Sequence, residues 1–115
     1  MEKSKSHILR FRDVNRDIFA AINDGRKKTE TRAGSPKYRG IKAGDRLVLV
    51  CGKDRMEKVV KKVEKYAGIA DLLKKHKPQE INPASKTAGE LEEIYYSFPG
   101  YREKIKRYGL VVFEL

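Results

Sequence analysis

The order of apolar and polar residues predicts short strands near both ends of the chain and in its middle. Three apolar runs of this kind cover residues 7–11, 47–51 and 110–115. A further strand is predicted over residues 56–66, because β-branched residues follow a turn there. Its alternation is interrupted by the adjacent valines Val59 and Val60, which a bulge or a helical start would accommodate.

An amphipathic helix is predicted after the first strand. Val14, Ile18 and Ile22 recur at i, i+4 and i+8, the spacing of one helical face over about three turns. Asp13 is the expected N-cap, and the sequence Asn-Asp-Gly at residues 23–25 supplies the stop.

Two more helices are predicted in the C-terminal third, after a short one around residues 69–73. Thr87 and Glu90 have the spacing of a capping box, a hydroxyl followed three residues later by a carboxylate. Pro-Gly at residues 99–100 breaks this helix, and Gly109 is the expected C-cap of the next. Residues 33–40 and 76–83 are predicted to be loops.

These elements predict a single α+β domain, mainly β, over residues 1–115. A compact β-barrel or strongly curved sheet with helical insertions fits, because closure removes exposed sheet edges. The N-terminal residues 1–5 lack the apolar core of a signal peptide, and no apolar run approaches the roughly 20 residues of a membrane span. We therefore expect a cytoplasmic protein without a membrane partner, and we expect a monomer.

Composition adds a strong positive charge and excludes several kinds of site. The chain has 27 Lys and Arg against 16 Asp and Glu, a net charge of +11. The single cysteine, Cys51, excludes an internal disulfide and a cysteine zinc cluster; with only His7 and His76 besides, we expect no metal site and no cofactor. A 37% share of charged residues indicates adaptation to heat, but it does not explain why cations outnumber acids. The excess of cations favours a polyanion as partner, nucleic acid above all.

The densest positive charge lies in residues 26–46, where eight Lys and Arg stand against two acids, so +6 of the +11 falls there. Within it, residues 26–32 favour an extended chain with almost nothing apolar to bury. Read as a strand, Lys28, Glu30 and Arg32 point to one side. Such a strand belongs at a sheet edge or beside a cavity.

Part of this segment resembles a known signature. The order Gly-x-Lys-x-x-Glu-x-Arg of the ASCH domain family is matched by Gly25, Lys27, Glu30 and Arg32. The order of predicted elements agrees over residues 7–115. The family is similar in fold to PUA domains, so the resemblance implies a small PUA-like β-barrel with helices at its openings. It also implies RNA-related work, with the signature lining a cleft.

The resemblance leaves a binding module and an enzyme open. In a binding module, the cations would contact phosphates, Glu30 would accept from a base amino group or orient Arg32, and Tyr38 would stack on a base. The expected contacts to RNA or a nucleotide-like ligand are Arg26, Lys27, Lys28, Glu30, Arg32, Tyr38, Arg39 and Tyr96.

In an enzyme, Lys27 and Glu30 would be catalytic. Some relatives look like amidohydrolases of N4-acetylcytidine with a threonine nucleophile, a lysine base and a glutamate. Here Glu30 occupies the threonine position, and the nearby hydroxyls of Thr29 and Thr31 do not match it. The distal glutamate could be Glu90, Glu92 or Glu93. A ribonuclease using Lys27, Glu30 and a tyrosine is a further alternative.

Five aromatic residues crowd into residues 95–108 of the chain. An aromatic stripe at helical spacing is typical of a core. Tyr95 shares a face with Leu91 and is predicted to be core, whereas Tyr96 does not and is the expected site residue.

Overall fold

The computed structural model describes residues 4–115 and places six strands in two three-stranded sheets, with six short α-helices. Residues 1–3, part of the N-terminal segment predicted to lack the core of a signal peptide, lie outside the described residues. The strands are β1 (Ser6–Phe11), β2 (Thr29–Ala33), β3 (Arg46–Cys51), β4 (Asp54–Val59), β5 (Lys62–Tyr66) and β6 (Leu110–Glu114). The helices are α1 (Arg16–Asn23), α2 (Pro36–Arg39), α3 (Ile69–Leu72), α4 (Pro78–Ile81), α5 (Ala88–Ser97) and α6 (Tyr101–Tyr108).

The first sheet has the order β1-β3-β4. β1 runs parallel to β3, with Ser6 opposite Arg46 and Phe11 opposite Cys51. β3 then turns back antiparallel into β4. The apolar run predicted at residues 47–51 is confirmed as the central strand of this sheet, and Cys51 is buried at its end as a free thiol.

The second sheet has the order β2-β6-β5 and is antiparallel throughout. Its central strand β6 is buried on both faces. Val111 and Phe113 pack into the apolar cluster shared with the first sheet, while Leu110 and Val112 pack into a second cluster with the helices. The C-terminal strand therefore belongs to both cores.

The chain crosses from one sheet to the other between β4 and β5. The Val60 amide donates to the Asp45 carbonyl at 2.8 Å, and the Lys61 amide donates to the Glu114 carbonyl at 2.7 Å. The single strand predicted over residues 56–66 is therefore divided in two. The adjacent valines mark the division, since Val59 is 52% exposed and Val60 only 1%.

The prediction of a PUA-like β-barrel is wrong. The α+β class is right, but the domain is not mainly β, since six α-helices accompany the six strands. Over the described residues, β1 pairs only with β3 and β2 only with β6, so these two edges do not close the sheets into a barrel. One side chain spans the gap instead: Arg32 Nη2 donates to the carbonyl of Arg10 at 3.2 Å. In a closed barrel, backbone hydrogen bonds would join these two edges. Here a side-chain hydrogen bond joins them, and a cavity lies between them.

The first helix begins later than predicted. A 3₁₀ turn occupies Asp13–Asn15, and α1 starts at Arg16. Val14 is 71% exposed, so the turn rotates it away from the buried face that holds Ile22. Asp13 pairs with Arg16 Nε at 3.1 Å instead of capping the helix. The predicted end of this helix at residues 23–25 is confirmed, since α1 ends at Asn23.

Helix boundaries in the C-terminal third follow the predicted signals. The Glu90 amide donates to Thr87 Oγ1 at 3.2 Å, which confirms the cap of α5. The predicted loops at residues 33–40 and 76–83 contain the single-turn helices α2 and α4, whose first residues are Pro36 and Pro78; proline is preorganised for that position. Within residues 4–115, no helix has the length and apolarity to cross a bilayer.

A buried aspartate ties the start of β3 to β1. The Asp45 carboxylate accepts the Lys5 amide at 3.1 Å, the Lys42 amide at 3.2 Å and His7 Nε2 at 2.9 Å. Burial opposes its ionisation, but these donors together lower the pKa of Asp45 to about 2.

Asp45→Asn is expected to lower the free energy of unfolding at neutral pH by about 1.5–3 kcal/mol, since it removes a charged acceptor of several hydrogen bonds. Because the folded pKa of Asp45 is depressed, its stabilisation is fully present above the unfolded pKa of about 3.9 and is lost as the pH falls toward 2. Urea unfolding at a series of pH values measures both effects. The exposed Glu92→Gln variant is the control; an equal acid response in Asp45→Asn and wild type would contradict the assignment.

Candidate functional site

The residues that resemble the ASCH signature form one buried charge network at the free edge of the second sheet. Gly25 has φ +83° and ends α1, and the Lys27 amide donates back to the Ala21 carbonyl at 2.9 Å. The chain then enters β2, which lies at a sheet edge and lines a cavity. Both placements confirm what the polar strand pattern predicted.

Lys27 lies behind this strand. Its side chain is 1% exposed, its Nζ donates to the Thr29 carbonyl, and Nζ lies 3.7 Å from Glu30 Oε1. Burial lowers the pKa of Lys27, while the negative charge of Glu30 opposes the shift. The ammonium is therefore enclosed by protein and does not reach a phosphate at the surface.

Glu30 is the centre of the network. Its Oε1 accepts the Thr31 amide at 3.0 Å, and its Oε2 accepts Arg32 Nε at 3.3 Å and Nη2 at 3.1 Å. With Lys27 on the other side, one buried carboxylate lies between two cations. Both of its oxygens are engaged.

Arg32 carries the network across to the first sheet. Besides Glu30, it donates from Nη2 to the Arg10 carbonyl and from Nη1 to the Tyr38 hydroxyl at 3.4 Å, and it lies 4.9 Å from the centroid of the Phe11 ring. Burial opposes its charge, but Glu30 prevails and raises the pKa of Arg32. Its guanidinium is a bridge between sheet edges.

A cavity of about 220 Å³ lies between the facing edges of β1 and β2 and is covered by the C-terminal helices. Four aromatic side chains, two amides, three guanidinium groups, one carboxylate and one hydroxyl line it. These residues are Phe11, Tyr95, Phe98, Tyr101, Asn15, Asn82, Arg10, Arg12, Arg32, Glu30 and Thr31. The volume is below the ~300 Å³ of pockets for drug-sized ligands, which suits one base or nucleoside.

An unpartnered hydroxyl faces this set of groups. Among residues 4–115, Thr31 Oγ1 is the buried side-chain oxygen that lacks a hydrogen-bond partner, and Thr31 is 4% exposed. The Thr31 hydroxyl is near the Tyr95 phenol and lowers the pKa of Tyr95. The two hydroxyls do not have the geometry of a normal hydrogen bond. Burial and the charge of Glu30 outweigh this and raise the pKa of Tyr95. The Tyr95 phenol therefore stays protonated at neutral pH.

The Asn82 amide and the outer arginines keep hydrogen-bond donors available at the cavity. Asn82 Oδ1 accepts the Ala84 amide at 2.9 Å, and no described residue accepts from the Asn82 NH₂ group. Arg10 and Arg12 are exposed and form no ion pair within the part of the chain that the structure describes.

The residues predicted from sequence are divided among several places. Glu30 and Arg32 line the cavity, Lys27 lies behind Glu30, and Tyr38 contacts Arg32 from outside with Lys37 Nζ 5.5 Å from its ring centroid. The others do not line the cavity. Arg26 pairs with Asp24, Lys28 is exposed, Arg39 lies near Tyr108, and Tyr96 lies on the surface beside Arg102.

The neighbouring tyrosines differ in their relation to the cavity. Tyr95 is buried as predicted, but its buried face is also a wall of the cavity, whereas Tyr96 lies outside. None of the candidate distal glutamates, Glu90, Glu92 and Glu93, lines the cavity. Arg10 and Arg12 also line the cavity but were not predicted as site residues. The feature of the sequence that could have indicated them is their position on either side of Phe11, at the end of a strand.

Comparison with known proteins finds the same fold in other proteins but no stated function. No protein-family model and no curated protein matches the chain. A crystal structure of hypothetical protein PH0355 from Pyrococcus is 28% identical, with a TM-score of 0.78, and the match covers 97% of this chain and 96% of that one. A solution NMR structure of protein PF0455 from Pyrococcus furiosus is 26% identical, with a TM-score of 0.72 and coverage of 95% and 94%.

Both neighbours share the fold over almost their whole length, and their source agrees with the heat-adapted composition. Neither name mentions an ASCH domain or a ligand. The family assignment therefore stays a prediction that rests on the signature residues.

Glu30→Gln is expected to lower the free energy of unfolding by about 3–5 kcal/mol, because it leaves the buried cations Lys27 and Arg32 without their counter-ion. Lys27→Met should cost much less, since Glu30 and Arg32 remain a balanced pair. Guanidinium unfolding of both variants gives the comparison. Equal losses in the two would show that Glu30 is not the centre of the network.

Proposed function

We propose that this protein is an RNA-associated binding module whose cavity takes one unpaired nucleotide or a nucleotide-like ligand. The observation that carries the proposal is the arrangement of groups between β1 and β2. Aromatic rings and neutral hydrogen-bonding groups lie inside, while two arginines without ion-pair partners stand at the rim. This is the division of chemistry that a base with an attached phosphate requires.

The interior suits the base. Phe98 and Tyr101 contribute flat apolar surface, on which an unstacked base can pack. Asn82 offers amide donors, and Thr31 offers a hydroxyl that lacks a partner. A buried polar group without a partner is costly, so a ligand that supplies one gains affinity.

The rim suits the phosphate. Arg10 and Arg12 flank Phe11 and are exposed at the cavity. A guanidinium binds phosphate through paired N–H groups, and such charge-assisted hydrogen bonds are stronger than neutral ones. Lys27 and Arg32 instead hold the wall in place through Glu30.

Two further features support RNA over other sources of nucleotides. The net charge of +11 favours a polyanion, and the signature from Gly25 to Arg32 resembles that of the ASCH domain family. In this proposal the signature positions the cavity and does not itself contact the phosphates.

Arg12→Ala is expected to weaken binding of a nucleoside monophosphate about tenfold, the loss of one charge-assisted hydrogen bond, and to leave binding of the parent nucleoside unchanged. Thr31→Val should weaken both, because it acts on the base. Isothermal titration with the four ribonucleotides and their nucleosides measures this. Arg55→Ala removes an exposed arginine of β4 that does not line the cavity and serves as the control.

Three results would contradict this assignment: no binding of any nucleotide or nucleoside, an equal effect of Arg55→Ala, or nucleoside binding that is indifferent to Thr31→Val. Circular dichroism of each variant separates loss of binding from loss of fold.

A second candidate function, an amidohydrolase acting on N4-acetylcytidine, is supported by the Thr31 hydroxyl. Thr31 Oγ1 would attack the acetyl carbonyl, the N4 amine would leave as cytidine after protonation, and water would hydrolyse the acyl-threonine to acetate. Burial lowers the pKa of Lys27, whose Nζ lies 3.7 Å from Glu30 Oε1, and the same carboxylate oxygen lies 3.0 Å from the Thr31 amide.

Incubation with N4-acetylcytidine, followed by chromatography for cytidine, tests this candidate. If Thr31 is the nucleophile, Thr31→Val abolishes turnover and Thr31→Ser retains part of it. Absence of turnover in the wild type, or turnover that survives Thr31→Val, excludes this mechanism and leaves the binding module.

A further inference from the structure

A second charged feature lies outside the cavity, in a groove where the β4–β5 crossing meets the loop before β3. Its volume is about 800 Å³, and none of its lining residues is acidic. The cations that line it are Arg39, Lys42, Lys61, Lys62 and Lys65. None of these residues lines the cavity between β1 and β2.

The fold brings these cations together from two distant parts of the sequence. The Gly44 amide donates to the Val60 carbonyl at 2.8 Å, and the Val60 amide donates to the Asp45 carbonyl at 2.8 Å. These bonds hold the chain around residue 42 against the chain around residue 61. The lysines of β5 therefore extend the basic segment that begins at Arg26.

The charge of this groove is only partly balanced. Lys62 lies opposite Glu114 in the sheet register, and its charge acts on Glu64 two residues away. Arg39, Lys61 and Lys65 are exposed and form no ion pair with any described residue. Heat adaptation pairs opposite charges in surface networks, so it does not account for this grouping.

A smaller cavity of about 260 Å³ continues the groove, because Arg39 and Lys65 line both. Tyr66 and Tyr108 lie in its wall. The Tyr66 hydroxyl donates to Glu64 Oε2 at 2.7 Å, which holds that ring in place. The Tyr108 ring is half-buried, with the guanidinium carbons of Arg39 and Arg107 at 6.0 and 5.2 Å from its centroid.

We propose that this groove and the cavity at its end, which we call the basic groove, bind single-stranded RNA. The backbone would follow the cations of β5 and Arg39, and one base would enter beside Tyr108. Lys61 and Lys65 lie four residues apart, roughly 13 Å along an extended strand, which is longer than one phosphate group. The groove is therefore built for a chain of anions and not for a single one.

The observations favour an unpaired strand over other polyanions. A base can reach the Tyr108 cavity only if it is unstacked, which excludes a regular duplex. Binding to a membrane surface would require exposed apolar anchors beside the lysines, whereas the large apolar residues of the groove, Ile41 and Val63, are buried and half-buried. An acidic peptide would use the cations but not the aromatic cavity.

Fluorescence anisotropy with labelled oligouridylate of about ten nucleotides tests the basic groove. Replacing Lys61, Lys62 and Lys65 together by alanine is expected to weaken binding at least tenfold. It should also reduce the slope of log affinity against log salt by about 2, as loss of three phosphate contacts on a single strand predicts. The matched control replaces the exposed Lys53, Lys75 and Lys86, which removes the same charge elsewhere.

The aromatic cavity has its own pair of variants. Tyr108→Leu keeps apolar volume but removes the stacking face, and it is expected to weaken binding roughly 5- to 100-fold. Tyr108→Phe keeps the ring and should bind as wild type does. Both variants keep the net charge, so their difference does not depend on counter-ion release.

Several outcomes would overturn the proposal. Equal loss in the groove and control triple variants would show that binding follows net charge alone. If Tyr108→Leu has no effect on affinity, no base stacks on Tyr108 in the cavity. Tighter binding of duplex RNA or of phosphatidylserine vesicles than of oligouridylate would identify a different partner. The variant that lacks Lys61, Lys62 and Lys65 keeps every residue that lines the cavity between β1 and β2, so it should bind nucleoside monophosphates as wild type does, and the two sites can fail independently.

Discussion

The position of the two sheets around the cavity depends on one buried carboxylate. Glu30 lies between Lys27 and Arg32, and it is the counter-ion of both. Burying an unpaired charge costs several kcal/mol, so these three side chains have few alternative arrangements. Because Arg32 is held by Glu30, it reaches the carbonyl of Arg10 and joins two strand edges that have no backbone ladder between them.

This network explains why a polar strand at a sheet edge is tolerated. An unpaired strand edge invites association with another chain. Here the edge of β2 faces a cavity, its charged side chains are paired with one another, and helices α5 and α6 cover the opening. The groups that remain free are those that face the cavity, such as Thr31, and those at its rim.

The positive charge of the chain is thereby divided into parts with different roles. Lys27 and Arg32 form buried ion pairs with Glu30. Arg26 pairs with Asp24 at the surface, and Arg39 lies with the lysines of β5 on another face. A cluster that is continuous in sequence is thus three separate environments in space. Charge counted along a chain does not distinguish them, because it ignores burial and pairing.

Local patterns in the sequence determined much of the secondary structure. The cap at Thr87, the apolar strand at residues 47–51 and the final strand were all predictable, because each is set by neighbours a few residues away. The sequence also determined that β2 would be polar and lie at an edge or beside a cavity. The position of Tyr95 in the cavity wall was not predictable, because one helix face serves both as core and as cavity wall.

Only the tertiary structure decided whether the sheets close and which groups are free. Alternating apolar residues specify strands equally well in a barrel and in two open sheets, and the choice depends on contacts between distant segments such as Arg32 with Arg10. The same holds for the site. The sequence singled out Lys27, Glu30 and Arg32 through the resemblance of their order to a known signature. Burial decided that these three side chains pair with one another and that Arg12 and Thr31 line the cavity.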